Sequence, residues 1–303
     1  MKFERKEVEV VRSPLALRTK RFATGALGKP ADVLATFGDA LFTGASNGVG
    51  SVHDGKVTVY NRTEGKRPCR LAEGNGPGLG AAWYTDPDGD SIGKVSADGE
   101  FVSAMKADGG PASIGADPYR PLFASSNGST IYLVGSEGMK RISCPHPRID
   151  AVSWGQFEMI WYVSGSVLQS ITYTGVSGRK VDLPSGTRID TLVRNRNDIL
   201  EHPVYYCDTR RDVIGRILDE RVIEYQLPAG TGPRALTIGL HSNPWFTGRG
   251  GQSLFQFEYH KRAIEYVCST PGSDLTRVSA FNDDMWFTEP AADSISSASV
   301  AGF

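Results

Sequence analysis

Cysteine is scarce in this sequence, with four in 303 residues. Cys69, Cys144, Cys207 and Cys268 stand 75, 63 and 61 residues apart, with no C-x-x-C pair and no Cys/His cluster at zinc spacing. Four reduced, mostly buried thiols are the expectation. Long hydrophobic runs are missing too: no stretch of about 18 apolar residues occurs, so nothing inserts in a membrane as a helix. The opening Met1-Lys2-Phe3-Glu4-Arg5-Lys6 lacks the apolar core of a secretory signal. The chain is therefore expected to stay cytoplasmic as synthesised. Neither sign of charge is in excess, since 33 basic residues meet 34 acidic ones. That balance removes any global drive toward nucleic acid or an acidic membrane surface. Finally, no segment sustains a 3.6-residue apolar period over three turns, so helix should be nearly absent.

What is present is repetition. Seven segments share a pair of bulky residues: Leu41-Phe42, Trp83-Tyr84, Leu122-Phe123, Trp161-Tyr162, Tyr205-Tyr206, Trp245-Phe246 and Trp286-Phe287. The second members step by 42, 39, 39, 44, 40 and 41 residues, close to the period of four-stranded propeller blades. Within a repeat, four short alternating segments are separated by turn residues. In the sixth they are 234–238, 244–247, 253–257 and 263–267. The 35 glycines and 17 prolines suit a chain that turns this often. The second repeat carries the hairpin phrases Asp86-Pro87-Asp88-Gly89 and Ala97-Asp98-Gly99-Glu100. These observations predict an all-β, seven-bladed β-propeller of four-stranded antiparallel blades, one domain over 1–303. The blades fall near 22–65, 66–108, 109–147, 148–186, 187–230, 231–272 and 273–303, the last completed by 5–14. Glu7 to Pro14 resembles the fourth strands elsewhere, such as Val222 to Pro228, and would close the ring by removing its open edge.

The blade phrases carry a resemblance. Trp286-Phe287-Thr288-Glu289, Ile92-Gly93-Lys94, Ile214-Gly215-Arg216 and the acidic-aromatic Val222 to Pro228 resemble the streptogramin B lyase family over essentially the whole chain. The resemblance implies elimination chemistry that opens a cyclic depsipeptide, with a histidine and a glutamate acting with magnesium at the central mouth. The family's histidine leads a first strand in a Pro-His phrase, and its glutamate follows Trp-Phe-Thr. In the sixth blade this sequence has Pro233-Arg234 and Trp245-Phe246-Thr247-Gly248 at those places. Arginine is no base at neutral pH, and glycine offers no carboxylate. His53, His146, His202, His241 and His260 fall in turns, connectors and an insertion, where exposed loop positions are expected. The reading is of blades retained without the catalytic pair, hence no catalytic residues, no metal and no cofactor.

One regularity stands in their place. Arg70, Arg148, Arg188, Arg234 and Arg277 each lead a first strand, and first strands line a propeller's channel. A ring of guanidinium groups at one mouth would hold a small anion. Alternatively, each arginine pairs with an acid after the aromatic pair (Asp86, Asp208 or Glu289) or with Asp150 and Asp190, acting as a rivet between blades. Weaker features are the Gly76–Gly80 run, which precedes a strand rather than a helix, and Asp86 to Asp90, which reads as a solvated hairpin rather than a calcium loop. The first 21 residues hold seven basic and three acidic side chains, a candidate docking arm. The function expected is a non-catalytic binding or assembly module with protein partners, for instance a subunit of a surface or phage tail-type virion assembly. The alternatives are a magnesium-dependent lyase or a sensor of a small anionic ligand in the channel.

Overall fold

Each aromatic pair sits on the second strand of a blade, and the third strand makes room for it. Phe42 faces Gly50 across the ladder and Tyr206 faces Gly215. A Cβ at Gly50 would lie 2.1 Å from the Phe42 ring, and one at Gly215 would lie 1.9 Å from Tyr206. The glycine of the Ile-Gly-Arg phrase is thus the floor on which a large ring lies flat. In blade six the facing residue is Phe255, and the two rings stack at 4.8 Å instead.

The computed structural model describes the chain except residues 37–38, 62–66, 75–80, 97–98, 116–120, 136–137, 199, 219, 259 and 301–303, and the side chains at 102, 103 and 240. Seven sheets follow one another in chain order, each with its first strand innermost. Those inner strands are Asp32–Ala35, Leu71–Gly74, Pro111–Gly115, Ala151–Trp154, Leu192–Arg194, Leu236–Ile238 and Val278–Phe281. The architecture is the expected seven-bladed propeller. The Gly76–Gly80 run and the Ala97-Asp98 turn lie outside the described residues. The hydrophobic core is divided among the seams between blades. One apolar cluster, for example, joins Tyr205 and Ile214 of blade five to Phe246 and Phe255 of blade six. All four cysteines are free thiols, with Cys144 and Cys207 buried, and burial pushes the Cys144 thiol up to about 12. Among the described residues, no helix is long and apolar enough to cross a membrane.

The ring is closed by an N-terminal strand, but a different one from that expected. Lys20–Ala23 pairs antiparallel with Ser294–Ser299 and completes blade seven. The expected closing segment lies elsewhere: Lys2–Glu7 runs parallel along the outer strand of blade five, and Glu9–Arg12 along that of blade six. The first 23 residues therefore form a belt across three consecutive blades. At each seam the belt inserts one apolar side chain: Val8 between blades five and six, Leu17 between six and seven, Phe22 between seven and one. Glu-Val-Glu-Val-Val has the stronger strand pattern, which is why it drew the closing role. Lys-Arg-Phe-Ala needs only Phe22, stacked at 5.5 Å on Trp286, to fill the position.

Candidate functional site: the central channel

Strand register decides which residues face the channel. In each blade the inner-strand residue opposite the position after the aromatic pair occupies the same place in the ring. By pairing, these are Asp32, Arg70, Ser113, Ala151, Thr191, Ala235 and Arg277. Arg148 and Arg188 lie three residues ahead of that position and Arg234 one ahead. Arg148 and Arg188 thus stand in the connectors that precede their strands, and side chains alternate along extended chain, so the single-residue offset turns Arg234 to a different face. The expected ring of five arginines is therefore two. Arg70 and Arg277 line a cavity of about 310 Å³ in the channel, together with Asp32, Ser113, Asp190, Thr191 and Ser279.

The other three arginines stay at the rim. Arg148 is 71% exposed and pairs with Asp150 at 2.6 Å. Arg234 is largely exposed and pairs with Asp274 at 3.2 Å. Arg188 is exposed and engages Asp208 through its backbone N–H at 3.2 Å. Arg277 behaves differently, because its side chain is only 17% exposed and crosses the mouth from blade seven to blade five. There Nη2 approaches Asp190 Oδ2 at 3.4 Å, and Nη1 donates to Thr191 Oγ1 at 3.3 Å. Burial first, and the charge of Arg70 next, hold this guanidinium below the ordinary arginine value. In the strands themselves, Thr85 and Thr288 accept the backbone N–H groups of Arg70 and Arg277, fixing where each side chain departs.

The three acids expected to partner the ring are not at the mouth. Asp86, Asp208 and Glu289 are fully buried inside their blades. Asp86 accepts the N–H groups of Arg67 and Gly89, and neighbouring Asp90 accepts that of Gly110, so this hairpin is tied down at its buried Asp86 while Asp88 and Asp90 stay exposed. Asp208 accepts the N–H groups of Arg188, Arg210 and Arg211 and the Arg211 side chain at 2.7 Å. Arg211 also spans Glu224 with two bonds, at 2.6 and 2.9 Å, and the Tyr206 hydroxyl donates to the same carboxylate. Burial opposes the charge of Arg211, yet Glu224 and Asp208 outweigh it and hold the group above its ordinary value. Glu289 is held by Arg21 of the closing strand at 2.6 Å. The rivets exist, but they join second strands to outer strands and to the belt.

Blade six carries the positions at which the resemblance leads one to look for a histidine and a glutamate. A Cβ on Gly248 would lie 2.6 Å from the Thr231 carbonyl oxygen, so no larger side chain fits without moving the backbone. Arg249 and Glu265, paired at 2.7 Å, take over the local charge balance. None of the five histidines lines the channel. Three of them, His146, His202 and His260, are also less exposed than their sequence positions suggest. His260 is packed against Tyr205, Tyr225 and Phe257, and burial, helped by Arg216, lowers its pKa to about 4. His146 meets the Tyr162 hydroxyl at 2.9 Å. Magnesium fits these residues poorly. Asp32 is engaged by the Leu71 N–H, Asp190 by Arg277, and Glu73 by Arg196 at 3.5 Å. Among the described residues, no group of three metal-ligating side chains converges.

The sequence reading missed Asp32 and Thr191, which share the ring position of Arg70. Only the pairing register reveals this, because the intervals between inner strands and aromatic pairs vary from blade to blade. It also missed the face where inner strands end. Here the blade-four turn displays Phe157, 80% exposed at a φ of 50°, and the blade-five insertion displays Leu200, 85% exposed. Both side chains border a second cavity that contains Trp154, Arg194 and His202. The insertion is rigidly built: Asp198 accepts the N–H groups of Leu200 and Glu201, and Asn195 accepts those of Asn197 and Asp198.

The class defined by this architecture is the seven-bladed β-propeller. No protein-family model matches the sequence, and no curated protein matches it. Among solved structures, virginiamycin B lyase from Staphylococcus aureus superposes with a TM-score of 0.79 at 18% identity, covering 93% of this chain and 98% of that one. A streptogramin B lyase structure gives 0.78 at 20% identity, with 92% and 96% covered. The Cps50 (Swd1) β-propeller domain of Myceliophteria thermophila gives 0.75 at 10% identity, with 93% and 99% covered. The fold of this chain is thus that of the streptogramin B lyases, the family its blade phrases resemble, and it is shared with a propeller bearing no such name.

Proposed function

We propose that the protein is a non-catalytic propeller that works as a binding module, as a subunit of a larger assembly of the surface or phage tail type. The observation that carries this reading is the state of blade six. Arg234 is paired with Asp274 at the rim, and Gly248 is pressed against a backbone carbonyl. A general base must reach the proton it removes with a pKa near neutrality, and the channel lining contains no histidine to do so. Phe157 and Leu200 support a protein partner. Displaying a phenylalanine in the left-handed region costs free energy in an isolated protein, and two exposed apolar side chains beside one groove suit an interface. The blade-six turn has the same conformation with His241 and Ser242 at those positions, residues that adopt it more readily or bring no large apolar surface. Fold alone does not discriminate, since lyases and complex-forming propellers share it.

The test has two parts. Incubation with quinupristin and magnesium, followed by mass spectrometry, should give no linear product above the blank; turnover by the unaltered protein overturns the non-catalytic reading. Partners recovered with the natural protein should then be purified and reassembled with it. Loss of reassembly in Phe157→Ser/Leu200→Ser supports the module, and undiminished reassembly refutes that face as the interface.

A further inference from the structure

The upper mouth of the channel holds two cations without adequate counter-charge. Arg70 and Arg277 share one cavity, and the charge of Arg70 makes that of Arg277 more costly. Asp190 meets Arg277 only at 3.4 Å, longer than a charge-assisted hydrogen bond. Asp32 stands between the two arginines in ring order, and one of its oxygens is already taken by the Leu71 N–H at 2.9 Å. Among the described residues, no carboxylate lies within 4 Å of the Arg70 guanidinium.

Below the mouth the wall changes character. Leu34, Ile114, Val193 and Ile238, from four different blades, are each only partly buried, and all line the cavity. Together they form an aliphatic girdle. Hydroxyls interrupt it, among them those of Ser113 and Ser279. Ser113 accepts the Val152 N–H at 3.2 Å and Ser279 accepts the Ala35 N–H at 2.9 Å. With one of its two lone pairs used, each serine keeps the other lone pair and its own proton to donate. Guanidinium groups at the rim and hydroxyl protons on an apolar wall complement one chemistry.

We propose that the channel binds a small carboxylate with a compact apolar body, its head between Arg70 and Arg277 and its body against the aliphatic girdle. A cavity of about 310 Å³ stands at the small end of ligand pockets, so the occupant is a small molecule rather than a peptide or macrocycle. The inference rests on reading the protein as a binding module and names a ligand class for it. It does not depend on the identity of any protein partner.

The probe is sodium benzoate, with benzyl alcohol matching its body without the charge and sulfate supplying charge without the body. Ligand-observed NMR titration should show saturable millimolar binding of benzoate, with both controls weaker by about tenfold, as loss of a charge-assisted bond or of apolar burial each demands. Arg277→Met and, independently, Arg70→Met should each weaken benzoate by about tenfold or more. Arg148→Met, at the rim, should leave it unchanged. Arg70→Met keeps the test decisive if Arg277→Met fails to fold, because no ion pair is lost with Arg70. Absence of saturable binding to the intact protein, or binding undiminished in a folded Arg70→Met protein, overturns the proposal. Neither result bears on quinupristin turnover, so the two readings fail separately.

Discussion

Arg211 is the side chain on which blade five depends most, and replacing it with methionine isolates the electrostatic part of that dependence. Methionine keeps the apolar stem, while three hydrogen bonds to two fully buried carboxylates disappear. Breaking a buried ion pair from one side costs about 3–5 kcal/mol, chiefly because the remaining charge stays desolvated. Asp208 would retain three backbone N–H groups. Glu224 would retain the Tyr206 hydroxyl and the half-exposed Arg5 at 3.1 Å. Those survivors put the loss nearer the lower bound, about 3 kcal/mol, a large share of the roughly 5–15 kcal/mol that folds an ordinary domain. Urea unfolding followed by fluorescence of the five tryptophans reads it directly. Glu224→Gln placed on top of Arg211→Met should recover a substantial part, since an amide needs no counter-ion yet still accepts from Tyr206. The exposed pair Arg148–Asp150 is the internal control, where Arg148→Met should cost at most about 1 kcal/mol. A loss below about 1 kcal/mol for Arg211→Met, or no recovery with Glu224→Gln, would refute the claim that this cluster holds the blade.

Three further outcomes are expected. Deleting residues 1–14 removes the fifth strands added to the outer edges of blades five and six but leaves Lys20–Ala23 in place. The melting temperature should fall while the ring stays closed and monomeric; by contrast, Phe22→Asp should open blade seven and cause aggregation in size-exclusion chromatography. Gly215→Ala forces a methyl group into the Tyr206 ring and should destabilise by about 1–3 kcal/mol, whereas Gly230→Ala, with open space around it, should suffer only from its positive φ; equal losses in urea titrations would contradict the ring-on-glycine packing. The folded pKa of His260 is depressed to about 4, so its stabilising contribution is complete above the unfolded value near 6.5 and drains away between there and about pH 4. Its partial exposure limits that loss to about 1–2 kcal/mol, and His260→Gln should flatten the acid limb of a melting-temperature profile by the same amount.

The residues explain how much of this was legible in advance. The aromatic pairs were readable because each fills a seam, and burial of that size cannot be placed at random along a repeat. The glycines of the third strands were visible as a motif, although their purpose needed the facing rings. Of the acids after the aromatic pairs, Asp208 and Glu289 meet arginine side chains, though not those of the expected ring, and Asp86 accepts the backbone N–H groups of Arg67 and Gly89. Glu289 takes Arg21 from 268 residues away, and Asp208 takes Arg211 from the adjoining turn. Charge complementarity selects the type of partner, not the address. The arginine ring failed for a geometric reason, because alternation makes a single residue of offset as decisive as a change of residue type. Asp32 and Thr191 were overlooked for the same cause, since they differ chemically from the arginines whose position they share.

The belt also carries a consequence for biogenesis. Synthesis delivers residues 1–23 before blades five, six and seven, yet the strands they pair with belong to those three blades, and Phe22 packs against blade one as well. Leu17 can reach its seam only when residues near Leu275 and Met285 exist. Until then the nascent chain must keep Val8, Leu17 and Phe22 from seizing other apolar surfaces, and blades one to four must assemble as an open arc. Closure by Lys20–Ala23 on Ser294–Ser299 is a contact of very large sequence separation, where loop entropy slows the search. The arc's unpaired flank is most vulnerable during that interval, so the yield of closed rings should depend on the speed of this closure more than on the stability of any one blade.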